Sequence, residues 1–290
     1  MDIIGKRKIW YTIPSVIIIL GFLFIIFRGL NFGLDFQGGT LMEFSFDQHV
    51  SNEEVRNILS ALGFTQEAAI QQSEEEGIHG VLIRTKELTP QEINQIETAL
   101  KEEYPSAETL RTDLVGPTVG KELRKNAILA LLLASIAMII YISIRFEFRF
   151  AIAAIVALLH DVLVTISFFA ILGKEVNTPF IAALLTIIGY SINDTIVIFD
   201  RLRENMKLLP RVPFDEQANR SINETLPRTI NTSITTLIVV LAIYLFGGAS
   251  VKTFMLALLI GILAGTYSSI CIASSLLVSW NNWSSAKAKK

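Results

Sequence analysis

The sequence predicts an α-helical polytopic membrane protein with six transmembrane helices and a small α+β domain between helices 1 and 2. Three observations support this fold class. Of the 290 residues, 51% are hydrophobic and the mean hydropathy is +0.51. The apolar residues are concentrated in six blocks, each near the roughly 20 residues that a membrane-crossing helix needs. Polar residues 29–126 separate the first block from the second and show both strand and helix periodicity.

The six predicted spans cover residues 9–27, 127–144, 150–172, 179–199, 230–246 and 251–278. The first span follows the basic segment "GKRK", as a signal peptide would, but its apolar core is too long and no A-x-A-like site follows. We therefore expect a retained first helix. Lys and Arg flank the first span, separate the second from the third and the fourth from the fifth, and end the chain. This distribution predicts cytoplasmic N- and C-termini.

The inserted segment, residues 29–126, is expected outside the membrane. "TLMEFSF" alternates as a strand does, and "AAIQQSE", "GVLIRTK" and "TLRTDLV" also have strand character. Ser51 and Thr89 stand where N-caps should, with Pro90 at the first position of the second helix. The resulting order β-α-β-β-α-β is the ferredoxin-like order. We expect the connection "QQSEEEGIHG" to be a solvated turn.

The predicted organisation therefore has four parts. Residues 1–28 form the cytoplasmic N-terminus and helix 1, residues 29–126 the outer domain, residues 127–280 helices 2 to 6, and residues 281–290 a basic cytoplasmic tail. Within the third part, Pro210, Pro213 and Pro227 interrupt the cytoplasmic loop at about 200–229. We expect one or two short amphipathic helices there, at the membrane surface.

Composition excludes several classes of function. The formal net charge of −2 gives no sign of nucleic-acid binding. The single cysteine, Cys271, excludes an intramolecular disulfide and a CxxC motif, and it lies in an apolar run. Three histidines without ligand spacing argue against a metal site. The sequence thus predicts no metal and no cofactor.

The fourth span contains the most unusual residues, in the stretch "IIGYSINDTIVIFD". Tyr190, Asn193 and Asp194 share a helical face through i+3 and i+4 spacing. A carboxylate at the centre of a span costs at least about 2.5–3.5 kcal/mol on insertion scales, so such residues face the bundle interior or water. Asp194 is either a proton-binding group or a hydrogen-bond node that holds neighbouring helices together.

The fifth span carries a second polar face made of Arg228, Asn231, Thr232 and Thr235. Arg228 lies near the inner end of its span, at roughly the depth of Asp194. A carboxylate–guanidinium pair between them is geometrically possible. The alternative is that Arg228 extends to the lipid headgroups.

Two further sets of residues stand out. His160 and Asp161 lie near the middle of the third span, but adjacent helical residues point about 100° apart and need not act together. Asp161 is a possible secondary functional residue. In the sixth span Gly261, Gly265 and Ser269 are spaced by four, as in closely packed or sliding helices.

These stretches together resemble the SecD–SecF family of the bacterial Sec translocon, and among its members the SecF-type chains. The matching segments, which run from about residue 33 to 273 in the expected order, are "GLDFQGG", "VGPTVGKEL", "ALLTIIGYSINDTIVIFDRLREN", "TLPRTINTSITT" and "GTYSSICIA". The long segment around Asp194 is highly specific.

The resemblance implies a half-transporter of the resistance-nodulation-division superfamily in the inner or plasma membrane of a bacterial cell. Proton flow through the membrane region would drive the outer domains that pull on emerging preprotein. The family's essential carboxylate falls on Asp194, its fifth-helix arginine on Arg228, and its surrounding polar motif on Tyr190 and Asn193. Implied partners are SecD, the SecYEG channel with SecA and YajC, unfolded preprotein, protons and lipid.

Three other interpretations stay open at this point. One is an exporter of small molecules or lipids from the same superfamily, although a typical efflux pump would need a second half. Another is an intramembrane aspartyl protease using Asp161 and Asp194, whose YD and GxGD motifs are not present. The last is a structural assembly subunit without proton coupling.

Overall fold

The computed structural model describes residues 1–64, 68–75 and 78–288. It separates into two compact units. The membrane unit comprises Met1–Asn31 and Ile128–Lys290, and the sheet domain comprises Phe32–Ala127. The sequence placed the sheet domain at residues 29–126.

Six stretches of helix in the described residues are long and apolar enough to cross a membrane. They are formed by α1 (Arg7–Arg28, after a 3₁₀ turn at Ile4–Lys6), α5 (Pro117–Arg145), α6 (Phe148–Leu172), α7 (Thr178–Leu208), α8 (Phe214–Phe246) and a composite last helix. The composite helix consists of α9 (Ala249–Tyr267), a π-helical turn (Ser268–Ala273) and α10 (Ser274–Ala288). The protein is thus a multi-pass membrane protein.

Local signals set the helix ends. Gly173 ends α6 in the left-handed conformation at φ 62°, which glycine adopts without steric cost. Asn177 caps α7, its side-chain oxygen accepting from the backbone N–H of Phe180 at 3.1 Å. The separate amphipathic helices expected at about 200–229 are not present among the described residues. Instead α7 continues to Leu208 and α8 starts at Phe214, so that Pro210 and Pro213 fall in the connection.

The central helices of the membrane unit are α6, α7 and the composite last helix. Within the most apolar window of each, 50%, 50% and 56% of the residues are buried, against 11% for α1, 6% for α5 and 17% for α8. Helices α1, α5 and α8 therefore lie at the periphery of the unit. Their apolar surfaces are open to lipid or to another chain.

The sheet domain has the predicted ferredoxin-like topology. Its elements are α2 (Leu34–Gln37), β1 (Gly39–Phe46), α3 (Asn52–Ala61), β2 (Ala69–Glu75), β3 (Ile78–Thr85), α4 (Pro90–Glu103) and β4 (Glu108–Val115). The strands are ordered β2-β3-β1-β4, and every neighbouring pair is antiparallel. Fully buried Phe44, Val55, Leu59, Ile96 and Leu100 hold the two longer helices against the sheet.

Both predicted N-caps form capping boxes. The Thr89 hydroxyl accepts from the backbone N–H of Glu92 at 3.4 Å, and the Glu92 carboxylate accepts from the backbone N–H of Thr89 at 2.7 Å. Ser51 and Glu54 make the same exchange at the start of α3. The backbone N–H of the capping residue, followed by its hydroxyl, lowers the pKa of each of these glutamates.

One expectation about this domain was wrong. The segment "QQSEEEGIHG" is largely strand: Gln71–Glu75 belongs to β2 and Ile78–Gly80 to β3, and only residues 76–77 between them lie outside the described part. β2 is an edge strand, and one edge of it is unpaired, so a polar sequence is compatible with it.

The segment "GLDFQGG" forms the short helix α2 and then two glycines. Gly39 has φ 121°, and a Cβ there would overlap the carbonyl oxygen of Thr85. Gly38 has φ 75°, and a Cβ would lie 3.1 Å from the carbonyl oxygen of Val115. Both positions therefore require glycine, for conformation and for close approach of β1 to its neighbours.

Candidate functional site

Asp194 lies on α7 and points into the membrane unit, where it is only 3% exposed. Ser233 and the Arg228 cation, both on α8, lie close enough to act on its carboxyl group, and the Ser233 hydroxyl lies 2.6 Å from that of Thr266. Its second oxygen, Oδ2, has no hydrogen-bond partner among the described residues. A buried carboxylate oxygen without a partner is costly, so Asp194 is poorly satisfied as a permanent charge.

Tyr190 and Asn193 do not accompany Asp194 into the interior. The Tyr190 hydroxyl donates to the carbonyl oxygen of Thr232 and contacts the hydroxyl of Thr236, both at 3.1 Å, which ties α7 to α8. Asn193 is exposed. Consecutive helical residues point about 100° apart, and the structure places Asp194 inside and Asn193 outside.

The polar face of α8, defined here as Arg228, Asn231 and Thr235, is turned away from the other helices of this chain. All three residues are exposed, whereas Thr232 is half-buried. The opposite side of α8 carries buried Thr229 and Ser233. Arg and Asn exposed within a span must be covered by water, headgroups or another protein.

The third-span acid, Asp161, is the centre of a second polar cluster. It is 0% exposed. Its Oδ2 accepts hydrogen bonds from Ser191 Oγ of α7 at 2.5 Å and from Ser268 Oγ of the π-helical turn at 2.9 Å. Its Oδ1 lies 2.9 Å from His160 Nδ1. The structure thus brings His160 and Asp161 together, although they are adjacent on the helix.

Small residues of the last helix allow α7 to approach closely. A Cβ added to Gly261 would overlap the side chain of Ile187, and one at Gly265 would lie 2.9 Å from Ser191 Cβ. One turn further on, Ser269 Oγ lies 2.8 Å from Thr195 Oγ1 and donates to the Ser191 carbonyl oxygen at 3.2 Å. This contact holds Ser191 in position against Asp161.

The π-helical turn lies directly at this contact. Such turns are rare, and they occur often at functional sites because the extra residue redirects side chains. Here the turn presents both Ser268 and Ser269, which are fully buried, to α6 and α7.

The described residues contain no group of three or more His, Cys, Asp or Glu side chains that could hold a metal. Cys271 is buried within the last helix. Asp161 and Asp194 can each accept hydrogen bonds and bind a proton.

Sequence reasoning missed Ser191 and Ser268, which bond to Asp161, Ser233, which lies near Asp194, and Thr195, which bonds to Ser269. A signal was present, because Ser191 precedes Asp194 by three residues and Ser268 follows Gly265 by three, so each lies on a helical face already identified. Serine and threonine are common in packed membrane helices, and their presence alone did not distinguish them.

The family models and the similar proteins all point to one family, SecD/SecF. The family model "Protein export membrane protein SecD/SecF, C-terminal" matches residues 95–283, and "SecD/SecF GG Motif" matches residues 23–50. Protein translocase subunit SecF of Thermobaculum terrenum is 43% identical over 300 residues, covering 97% of this chain and 94% of the relative. Protein translocase subunit SecDF of Bacillus subtilis is 41% identical over 282 residues, covering 96% of this chain and 38% of the relative.

Two solved structures that resemble this chain belong to the same family. A crystal structure of SecDF from Thermus thermophilus, described as a translocon-associated membrane protein, superposes with a TM-score of 0.90 at 38% identity, covering 97% of this chain and 39% of that one. A crystal structure of SecDF in a super-membrane-facing form gives a TM-score of 0.74, also at 38% identity, covering 100% of this chain and 40% of that one.

Proposed function

Because the chain belongs to the SecD/SecF family of protein-export membrane proteins, we propose that it is the SecF-type subunit of the Sec translocase. Together with SecD, it uses the proton motive force to assist late preprotein translocation and release on the outer side of the membrane. The observation that carries this proposal is Asp194, which is buried in the membrane unit with one carboxyl oxygen unpaired and Arg228 acting on it.

Proton binding at Asp194 provides the coupling. Burial disfavours the charged carboxylate, while a nearby cation favours it, so any motion of Arg228 relative to Asp194 changes the proton affinity. A proton that binds two conformations unequally shifts the equilibrium between them. One charge crossing 100 mV supplies about 2.3 kcal/mol, which is sufficient to shift such an equilibrium severalfold for each proton.

The polar face of α8 supports a SecD-type companion in the membrane. Arg228, Asn231 and Thr235 are exposed, as is Asn193 of α7, and lipid tails cannot satisfy their hydrogen-bonding groups. A second six-helix half provides a polar partner surface at this position. The SecYEG channel, with SecA and YajC, would be contacted by the assembled complex.

The proposed orientation has both termini in the cytoplasm and the sheet domain on the outer side. Lys6, Arg7 and Lys8 precede the first span, and Arg145 and Arg149 flank the turn between α5 and α6, which places basic residues on one side. Preprotein would then emerge on the side of the sheet domain.

The test is preprotein release from sealed vesicles with an imposed proton gradient. We expect Asp194→Asn to abolish the acceleration that the gradient produces in the unaltered protein. The matched control is Asp200→Asn, on the same helix, because Asp200 is only half-buried and its carboxylate pairs with Arg145 at 3.0 Å. Surface pairs of this kind contribute about 0.2–1 kcal/mol, so this variant should retain the response.

Both variants must first be shown to assemble with SecD in equal amounts. If Asp194→Asn assembles normally and still responds fully to the gradient, proton coupling at Asp194 is wrong and Asp194 is a packing residue. In that case the chain would be an assembly subunit, which the exposed polar face of α8 alone is enough to support.

A further inference from the structure

The Asp161 cluster contains three short polar contacts. Two hydroxyl groups, those of Ser191 and Ser268, lie within bonding distance of Oδ2 at 2.5 and 2.9 Å, and His160 Nδ1 lies 2.9 Å from Oδ1. The 2.9 Å contact fits an imidazole hydrogen on Nδ1, with the carboxylate accepting on both oxygens and the lone pair of the ring on Nε2. It also fits a protonated Asp161 that donates to Nδ1, and the tautomer of His160 distinguishes the two.

His160 Nε2 is the unsatisfied atom of this cluster. The residue is 9% exposed, and Nε2 is buried without a hydrogen-bond partner in the described part of the chain. The ring lines a cavity of about 310 Å³ between α1, α6 and α9, whose other walls are apolar apart from Tyr267. The cavity is partly open to the surface of the membrane unit and is large enough for several water molecules, but apolar walls keep such spaces dry unless polar groups are available.

Tyr267 links this ring to the first helix. Its ring stacks on His160 at a centroid distance of 6.2 Å and an interplanar angle of 23°. Its hydroxyl donates to the carbonyl oxygen of Trp10 at 2.7 Å. Pro14 lies four residues after Trp10 and has no N–H, so it cannot make the helical bond to that carbonyl. The position of α1 is thus coupled to the wall of the His160 cavity.

The net charge of the His160–Asp161 pair depends on where the proton is bound. With neutral His160, the ionised carboxylate of Asp161 is a net buried charge stabilised only by hydrogen bonds. A proton on Nε2 converts the pair into carboxylate and imidazolium, which has no net charge, as low dielectric favours. The new N–H, however, has no acceptor among the described residues in this conformation, and an unpaired buried N–H is costly. Proton binding therefore favours a state in which the cavity admits water or α1 moves to supply an acceptor.

We propose that His160 Nε2 is a second proton-binding site of the membrane unit, with Asp161 as the positioning residue that fixes its tautomer and compensates its charge. Protonation at this site favours entry of water into the cavity between α1, α6 and α9. The site is distinct from Asp194, which faces Ser233 and Arg228 of α8, and the inference does not depend on proton coupling there.

The surroundings of His160 contain few other titratable groups. From its own helix the ring faces Asp161, and from the last helix it faces Tyr267, with Cys271 close behind Tyr267. From α1 the cavity is lined by Ile13, Pro14 and Ile17, and from α7 the pair receives Ser191. Asp161 is thus the one acidic residue within hydrogen-bonding distance of the ring in the described structure.

The experiment is a pH titration of the His160 ring by ¹⁵N nuclear magnetic resonance. The full chain, labelled at histidine, is reconstituted in lipid with its unlabelled SecD partner. The chain has three histidines, so His49→Gln and His79→Gln, both in the sheet domain, leave His160 as the single signal. We expect a neutral Nδ1–H ring that becomes doubly protonated as the pH is lowered.

Asp161→Asn in the same background keeps the side-chain size but removes the charge. We expect it to weaken proton binding by His160 at least about tenfold, as loss of an adjacent opposite charge does. A ring that stays neutral over the whole pH range, or one that carries its hydrogen on Nε2, would overturn the proposal. Both readings come from the chain with Asp161 intact, so they hold even if the variant does not fold.

Discussion

The close contact between α7 and α9 allows a quantitative prediction for Gly261→Ala. A Cβ at position 261 overlaps Cδ1 and Cγ1 of Ile187 and lies 3.0 Å from its Cγ2. Ile187 is 1% exposed, so it has no open space into which to move. A β-branched side chain in a helix also has essentially one χ1 rotamer. The clash must therefore be relieved by separating the two helices.

Forcing an extra methyl group into a packed interior costs about 1–3 kcal/mol, and contact with three atoms of one rigid side chain places this case near 2 kcal/mol. The intrinsic preference of helices for Ala over Gly, about 1 kcal/mol, acts in the opposite direction. Gly189→Ala measures that preference separately, because Gly189 lies within α7 and a Cβ there meets no atom within 4 Å. The predicted difference between the two variants is about 2 kcal/mol.

The assay is the free energy of unfolding of the purified chain in mixed micelles, from a denaturing-detergent titration. Ile187→Val removes Cδ1, the nearest atom in the clash, and alone costs about 0.5–1.5 kcal/mol. Combined with Gly261→Ala it should recover about 1 kcal/mol relative to the sum of the single changes. If Gly261→Ala is as stable as Gly189→Ala, or if the two changes at the contact are simply additive, the packing argument is refuted.

Three further outcomes are expected. Thr89→Ala should cost about 1 kcal/mol and speed amide exchange in the first turn of α4. The pKa of Glu92 is lowered by the backbone N–H of Thr89. Its contribution to stability is thus present above the ordinary glutamate range and lost as the pH falls through the folded-state pKa, which amide exchange against pH will detect. Tyr267→Phe leaves the Trp10 carbonyl without a donor and should cost about 0.6–1.7 kcal/mol in the unfolding assay.

Matched changes separate these effects from general damage. Thr98→Ala lies in the interior of α4 and should leave exchange in the first turn unaltered, since its hydroxyl bonds only to the Asn94 carbonyl within the helix. Tyr141→Phe, on exposed Tyr141 of α5, should be nearly neutral. An equal loss of stability in Tyr141→Phe and Tyr267→Phe would contradict the role given to the Trp10 contact.

Features with local causes were predictable from the sequence. Ser51 and Thr89 satisfy the first N–H groups of the helices that follow them, and alternation in "TLMEFSF" marks one buried face of β1. The edge strand β2 was partly misread as a turn, because its polar residues obscure the pattern. Helix extension past the apolar block, as at Leu208 and Phe214, depends on packing between helix ends and has no hydropathy signal.

The two carboxylates show where sequence reasoning reaches its limit. Spacing identified Asp194 and Asp161, but helical spacing gives only relative directions within one helix. It does not say which direction faces a neighbour. Hence Asn193 was grouped with Asp194 although it is exposed, and His160 was separated from Asp161 although their side chains bond at 2.9 Å. The partners Ser191 and Ser268 come from other helices, whose azimuth only tertiary packing sets.

The outward polar face of α8 has a consequence for the life of the protein in the cell. An unassembled chain leaves Arg228 and Asn231 exposed within a span, and in the assembly proposed above the SecD-type companion covers them. Assembly therefore stabilises the folded chain by mass action, so that its abundance follows that of its companion. We expect chains made in excess to be degraded, which would keep the two subunits in matched amounts without any dedicated regulator.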